Sequence, residues 1–236
     1  MNTHCLACHS EIEYPMTWNS FLFTPKERWL CGKCESQLQA IDGDRCGICS
    51  RPLFLVEPHH IKEGNCLDCI RWEQDPQWRG VLSKNTSLFL YNEYMKTYLA
   101  RFKYRGDHIL AKAFSVSIKE AVSAMNTSLI VPIPLSAERL QERGFNQAAA
   151  IATTASLQTQ HLLVRKHSEK QSKKSRNERI NSQTVFALSP NHPNITNEAI
   201  LLIDDIYTTG TTLRHAAQCL KQAGAKQVCS LTLARG

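Results

Sequence analysis

LLIDDIYTTGTTL, residues 201–213, decides the fold. Leu201, Leu202 and Ile203 belong to the run ITNEAILLIDD (195–205), and a short continuous aliphatic stretch of this kind reads as a strand buried on both faces. Two carboxylates, Asp204 and Asp205, follow at once. Adjacent carboxylates repel each other and resist burial, so a chain that sets them at the mouth of a buried strand supplies something for them to hold. The turn Tyr207-Thr208-Thr209-Gly210-Thr211 then leads into TTLRHAAQCLKQAG, a helix stopped by Gly224. In an open α/β sheet ligands bind beyond the carboxyl ends of the strands, and a helix N-terminus suits a phosphate. Gly210 permits close backbone approach, while Thr208, Thr209, Thr211 and Thr212 add neutral donors. A ligand with vicinal hydroxyls beside a phosphate, the layout of ribose 5-phosphate, fits both halves of the stretch.

Working outward, TSLFLY (86–91) reads as a strand and NEYMKTYLARFKYR (92–105) as a helix stopped at Gly106-Asp107, with a second helix from His108 to Met125. SLIVPIPL (128–135) is a strand that Pro132 and Pro134 must end, because proline cannot donate within a central strand. Ser136 caps the helix AERLQERGFNQAAAIATTA, which Gly144 can break. Short strands are expected at His161–Val164 and Thr184–Leu188, and KQVCSLTLAR is the final strand. Cys219 and Cys229 fall on apolar positions and read as core residues. Strand and helix alternate, so the class is α/β, with a mostly parallel sheet flanked by helices.

Eight of the ten cysteines crowd into the first third as four C-x-x-C pairs: Cys5/Cys8, Cys31/Cys34, Cys46/Cys49 and Cys66/Cys69. Each pair offers two thiolates from one tight knuckle, and two knuckles close a tetrahedral zinc site. Prolines at 15, 25, 52 and 58 break up the strand-to-helix context that a redox C-x-x-C needs. The expectation is one or two structural zinc ions. Sequential pairing joins the first knuckle to the second and the third to the fourth; an interleaved pairing satisfies the spacing as well. Gly47 and Gly64 are small residues suited to positive φ in such knuckles. His4, His9, His59 and His60 are alternative ligands or solvated loop residues. Trp72, Pro76 and Trp78 form an apolar seam toward the C-terminal α/β part, with base stacking as the rival role. This organisation predicts a small cysteine-rich zinc domain over residues 1–80 and an α/β domain over 81–236.

Charge is divided along the same line. Residues 1–80 carry eight Lys and Arg against eleven Asp and Glu, net −3, and residues 81–236 carry twenty against ten, net +10. An anionic partner is therefore sought in the C-terminal part. Seven of its cations lie in RKHSEKQSKKSRNER (165–179), which has two acids and no apolar periodicity. No stretch approaches the roughly 20 apolar residues of a membrane span. The opening MNTHCLACHSEIEY lacks the regions of a secretory signal. A cytoplasmic location without direct membrane insertion is the expectation.

The four knuckles, FKYRGD (102–107), VPIPL (131–135), RGFNQ (143–147) and IDDIYTTGTT (203–212) together resemble the bacterial competence protein F family. LLIDDIYTTGTTL is similar to the phosphoribosyl-pyrophosphate signature of type I phosphoribosyltransferases. The resemblance implies a type I phosphoribosyltransferase-like fold behind the zinc domain. It implies that Asp204 and Asp205 take the ribose hydroxyls and Thr208, Thr209, Gly210, Thr211 and Thr212 the 5-phosphate. The loop from Pro132 to Ser136 would face the pyrophosphate, with Arg139 or Arg143 as its charge partner, and the basic run 165–179 would be a hood or a plain solvated loop. Magnesium would accompany phosphoribosyl pyrophosphate. Purine-transferring relatives carry an aspartate base where this chain has Thr208, so turnover is left undecided. The implied role is a competence factor aiding uptake of single-stranded DNA, with a helicase of the uptake machinery and single-stranded DNA as partners, placed at the inner membrane face through those partners. The alternatives are an active phosphoribosyltransferase on an unknown acceptor and a non-catalytic sensor or scaffold.

Overall fold

The computed structural model describes residues 3–14, 27–104, 107–166 and 185–236. Pro15, Pro25, the Arg105-Gly106 turn, the basic run from 167 onward and the start expected for a strand at Thr184 lie outside them. In chain order the strands are β1 (Ile61–Lys62), β2 (Asn65–Cys66), β3 (Asn85–Leu90), β4 (Leu129–Pro132), β5 (Leu163–Arg165), β6 (Phe186–Leu188), β7 (Ala199–Tyr207) and β8 (Gln227–Arg235). The helices are α1 (Gly32–Glu35), α2 (Leu67–Gln74), α3 (Glu93–Tyr104), α4 (Ser115–Ser123), α5 (Ala137–Arg143), α6 (Gln147–Thr154) and α7 (Thr211–Gln222).

Four strands build the main sheet in the order β3-β8-β7-β4, every neighbouring pair parallel. The aliphatic run of β7 puts it beside β8 in the centre, where both faces are covered. Because successive side chains alternate across a strand, Leu201 and Ile203 pack with α3 and α6 on one face, and Ile200 and Leu202 pack with α7 on the other. β4 is an edge strand, which is how Pro132 can end it: no further neighbour needs its missing N–H. β5 and β6 form a separate antiparallel pair.

Several expectations shift. β7 begins at Ala199, because Asn197 takes φ 65° and the Glu198 N–H turns back to the Ile195 carbonyl at 3.1 Å. It runs on through Tyr207, since β8 supplies ladder partners as far as Arg235. Asp204 and Asp205 thus lie within a strand. The helix expected over His108–Met125 is a 3-10 segment, His108–Phe114, followed by α4, and the Leu110 carbonyl is taken by the Tyr98 hydroxyl at 2.9 Å. Gly144, at φ 76°, does end α5, and the Asn146 side chain accepts from the N–H groups of Ala148 and Ala149 to start α6.

The knuckles pair sequentially. The sulfurs of Cys5, Cys8, Cys31 and Cys34 lie within 4.8 Å of one another, as do those of Cys46, Cys49, Cys66 and Cys69. The first tetrad packs into the core on the α3 face and the second into the core on the α7 face. Gly64 has positive φ and Gly47 does not; the residues that take positive φ directly after a knuckle are His9 and Ser50. Gly47 instead sits against the Asn65 side chain, where a Cβ would lie 3.1 Å from its oxygen. The third knuckle is fastened to the sheet through Asn85, whose N–H donates to the Ile48 carbonyl at 2.7 Å and whose carbonyl accepts from the Ser50 hydroxyl at 2.7 Å.

Candidate functional site

A crevice of about 230 Å³ opens at the carboxyl ends of β4 and β7. Its floor is Asp204, Asp205 and Ile206, its walls are the Ile133–Leu135 loop and α5, and Thr208 and Thr212 stand at the start of α7. Lys103, Arg139, Arg143 and Arg165 reach it from α3, α5 and β5. Strand alternation sends the two carboxylates to opposite faces of the sheet. Asp205 points toward α3, where its Oδ2 meets Lys103 Nζ at 2.6 Å, with both side chains more than four-fifths buried. Asp204 points the other way, where Arg165 acts on it, and its Oδ1 accepts from the Asp205 N–H at 2.9 Å.

Four cations against two carboxylates leave the crevice cationic. Burial, foremost, and then the neighbouring Asp205 charge push the Asp204 carboxyl up to about 7, with the Asp205 N–H, Lys103 and Arg165 pulling it back in part. Arg165 is lowered by burial and by Arg139. Arg143 donates to Gln147 Oε1 at 2.9 Å, its guanidinium lies 5.5 Å from the Tyr104 ring, and its Nε is buried without a partner. The Asn146 amide holds the wall in place by donating to the Ile133 carbonyl at 2.9 Å. The segment Arg143 to Asn146 therefore both breaks a helix and borders the crevice.

Of the residues singled out in the sequence, Asp204, Asp205, Thr208, Thr212, Arg139 and Arg143 come together here. Pro132 is buried at the end of β4, and Thr209, Gly210 and Thr211 do not line the crevice. The Thr209 and Thr211 hydroxyls bond each other at 2.9 Å. Gly210 takes φ 81° with the Tyr207 ring packed against it, so that a Cβ there would stand 2.2 Å from the phenol oxygen. Close backbone approach is thus required by Tyr207. Lys103 was not singled out, and Arg165 only as the first residue of the basic run 165–179. Lys103 had a signal: it continues the buried stripe Met95, Leu99 of α3 at a four-residue interval, and a cation on an apolar face needs a partner. Arg165 opens the run expected as a hood, and the end of β5 brings it to the crevice.

The two tetrads fit zinc. A tetrahedron of thiolates with Zn–S near 2.3 Å has an edge of about 3.8 Å. Cys8 and Cys31 sulfurs are 3.6 Å apart, and those of Cys49 and Cys66 are 3.7 Å apart. Crowding in the second tetrad pushes the Cys46 thiol down, through its bonds with Cys49 foremost, and pushes Cys66 and Cys69 up, through Cys46 foremost. A divalent cation is what lets all four ionise together. His59 and His60 meet ring to ring at 4.0 Å in a tilted arrangement and join neither tetrad. The Trp72 and Trp78 seam is packed edge to face at 5.3 Å, and Trp78 continues onto His215 of α7 at 4.8 Å.

Residues 140–236 match the family model described as phosphoribosyl transferase domain. The chain is 40% identical over 236 residues to the competence protein ComFC of Bacillus subtilis (strain 168), covering 98% of this chain and 94% of that one. It is 31% identical to ComFC of Streptococcus pneumoniae (strain ATCC BAA-255 / R6), over 98% of this chain and 99% of the relative. With competence protein F of Haemophilus influenzae (strain ATCC 51907 / DSM 11121 / KW20 / Rd) it shares 27% identity over 87% of this chain and 90% of the relative.

Proposed function

We propose that this chain, which belongs to the family of the competence proteins ComFC and F, binds phosphoribosyl pyrophosphate with magnesium in the crevice and serves cytoplasmic uptake of single-stranded DNA during transformation. The observation that carries the ligand is the crevice itself: a surplus of cations beside two carboxylates and the N-terminus of α7. An excess of positive charge gathered in one crevice calls for an anion.

Each residue then has a task. Thr208 and Thr212, with the positive dipole end of α7, take the 5-phosphate. Asp204 accepts from a ribose hydroxyl once ionised, and Asp205 does so while Lys103 keeps its charge compensated. Arg139, Arg143 with its spare Nε, and Arg165 take the diphosphate end. Bound magnesium would supply further neutralisation of the diphosphate. Thr208 offers a hydroxyl that is no base at neutral pH, so the reading favours binding of the activated sugar over proton abstraction from an acceptor. In this role the net +10 of residues 81–236 supports contact with the DNA backbone, and the zinc-bearing part supports docking of the uptake helicase.

Calorimetric titration of phosphoribosyl pyrophosphate with magnesium tests the reading. Micromolar or tighter binding is expected, with a loss of more than tenfold in Asp204→Asn/Asp205→Asn. Absence of binding in the unaltered chain would refute it. Pyrophosphate release over hours would move the function to a transferase.

A further inference from the structure

Two separate chains of contact join the second cysteine tetrad to the turn that closes the crevice. Cys69 lies on α2, one turn before Trp72 and Glu73. The Trp72 indole N–H donates to the Thr209 carbonyl at 3.1 Å, and its ring lies 5.0 Å from the Arg214 guanidinium. Arg214, fully buried in the first turn of α7, donates to Glu73 Oε1 at 3.2 Å, and its backbone N–H donates to the Gly210 carbonyl at 2.9 Å. The second chain starts at Cys49. Arg235 Nη2 stands 3.5 Å from the Cys49 sulfur, while its Nη1 donates to the Tyr207 carbonyl at 3.2 Å. The same guanidinium lies 4.8 Å from the Tyr207 ring, which fills the space under Gly210.

The turn is therefore held at Thr209 from one ligand helix and under Gly210 from another ligand's neighbour. α2 has only eight residues, too few to be stable by itself, so metal bonds from Cys66, its N-cap, and Cys69, in its first turn, would fix where it starts and how it is oriented. Arg235 bonds the Cys49 sulfur and the Tyr207 carbonyl with one guanidinium, so where a metal fixes that sulfur it also fixes the support of the turn.

We infer that metal binding in the second tetrad and anion binding in the crevice are positively coupled, with Trp72 and Arg235 as the positioning residues that carry the coupling. This rests on the crevice being a sugar-phosphate site. Coupling between two binding sites is reciprocal, so an anion in the crevice must slow metal loss from the tetrad by the factor by which the metal tightens the anion, if re-entry rates are alike.

The experiment uses the full zinc-loaded chain and ribose 5-phosphate as probe. Calorimetry first establishes its binding; zinc release to a chromophoric chelator is then followed with and without it. Release is expected in two phases, because Cys8 of the first tetrad is exposed and all four cysteines of the second are buried. Saturating ribose 5-phosphate should slow the second phase about fivefold and leave the first unchanged. Trp72→Phe keeps a ring in the seam and removes the N–H. In that variant, which leaves the Arg235 contacts in place, the slowing should fall to about twofold and the dissociation constant of ribose 5-phosphate should rise about twofold with zinc content intact. Arg235→Lys, which keeps the charge and withdraws both bonds, provides the same readout if Trp72→Phe does not fold. Binding of ribose 5-phosphate without slowed release overturns the coupling alone. So does slowing that is undiminished in both variants. Failure of ribose 5-phosphate to bind overturns the crevice reading, and the coupling with it.

Discussion

Replacing Asp204 with Asn should make the protein more stable and less able to bind, and the gain should depend on pH. The Asp204 carboxyl is held near 7 in the fold, against an ordinary 3.8. Between those values the folded chain keeps a proton that the unfolded chain has released. Stability therefore falls as pH rises through that window and levels off above 7. The full effect is about 4 kcal/mol, and the surface that Asp204 exposes to crevice water reduces it to about 2 kcal/mol. Asn keeps an oxygen for the Asp205 N–H and carries no charge. For a chain of this size the gain at pH 8 is a rise in melting temperature of about 4–8 °C. Thermal melts of both proteins at pH 5.5, 6.5, 7.25 and 8 measure the difference, in which the shared titration of the thiols cancels. The stability gap should widen across the series while affinity for phosphoribosyl pyrophosphate falls. A gap that is absent at pH 8, or constant from 5.5 to 8, would refute the assignment of a strained carboxylate to this position.

Three further outcomes rest on named contacts. Lys103→Met strands the Asp205 charge and should cost about 3 kcal/mol, whereas Lys103→Met/Asp205→Asn should recover most of it; additive losses in thermal melts would show that the 2.6 Å pair is not a unit. Gly210→Ala meets both the positive φ and the Tyr207 ring. It should lower the melting temperature well beyond Gly80→Ala, which shares a positive φ but has no neighbour within 4 Å and should cost about 1 kcal/mol. Metal analysis of the purified protein should return two zinc ions per chain, and a chelator should remove the ion at exposed Cys8 first; a single tightly held ion would mean that one tetrad does not load.

The parts of this fold that were legible in sequence are those with a strong local cause. Continuous aliphatic residues set the central strand, Gly144 and Ser136 mark helix ends, and the C-x-x-C spacing gives the knuckles. The pairing of the knuckles was not legible, because either arrangement satisfies the ligand count; the separation of the two tetrads onto opposite sheet faces selects the sequential one. The acidic doublet was read as a pair acting together, yet the two-residue period of a strand that continues to Tyr207 turns the side chains apart and gives each its own cation. That outcome depends on β8 extending the ladder, a fact of tertiary pairing with no trace near Asp204. Gly210 was legible as special, but its cause, an aromatic ring three residues earlier, emerges only from the turn's shape. Arg165 enters from a short strand pair outside the main sheet, where propensity and periodicity carry little information.

The position of β8 has a consequence for assembly. It comes last in chain order among the strands and yet stands between β3 and β7, so the two halves of the sheet have no direct seam until it arrives. Knuckles made early must wait, their apolar sides unfinished, while about 165 to 200 further residues are synthesised. Contacts this distant make folding slow and expose intermediates to aggregation. Zinc captured early would act as a chaperone in all but name, keeping the amino-terminal third compact until its neighbours emerge from the ribosome.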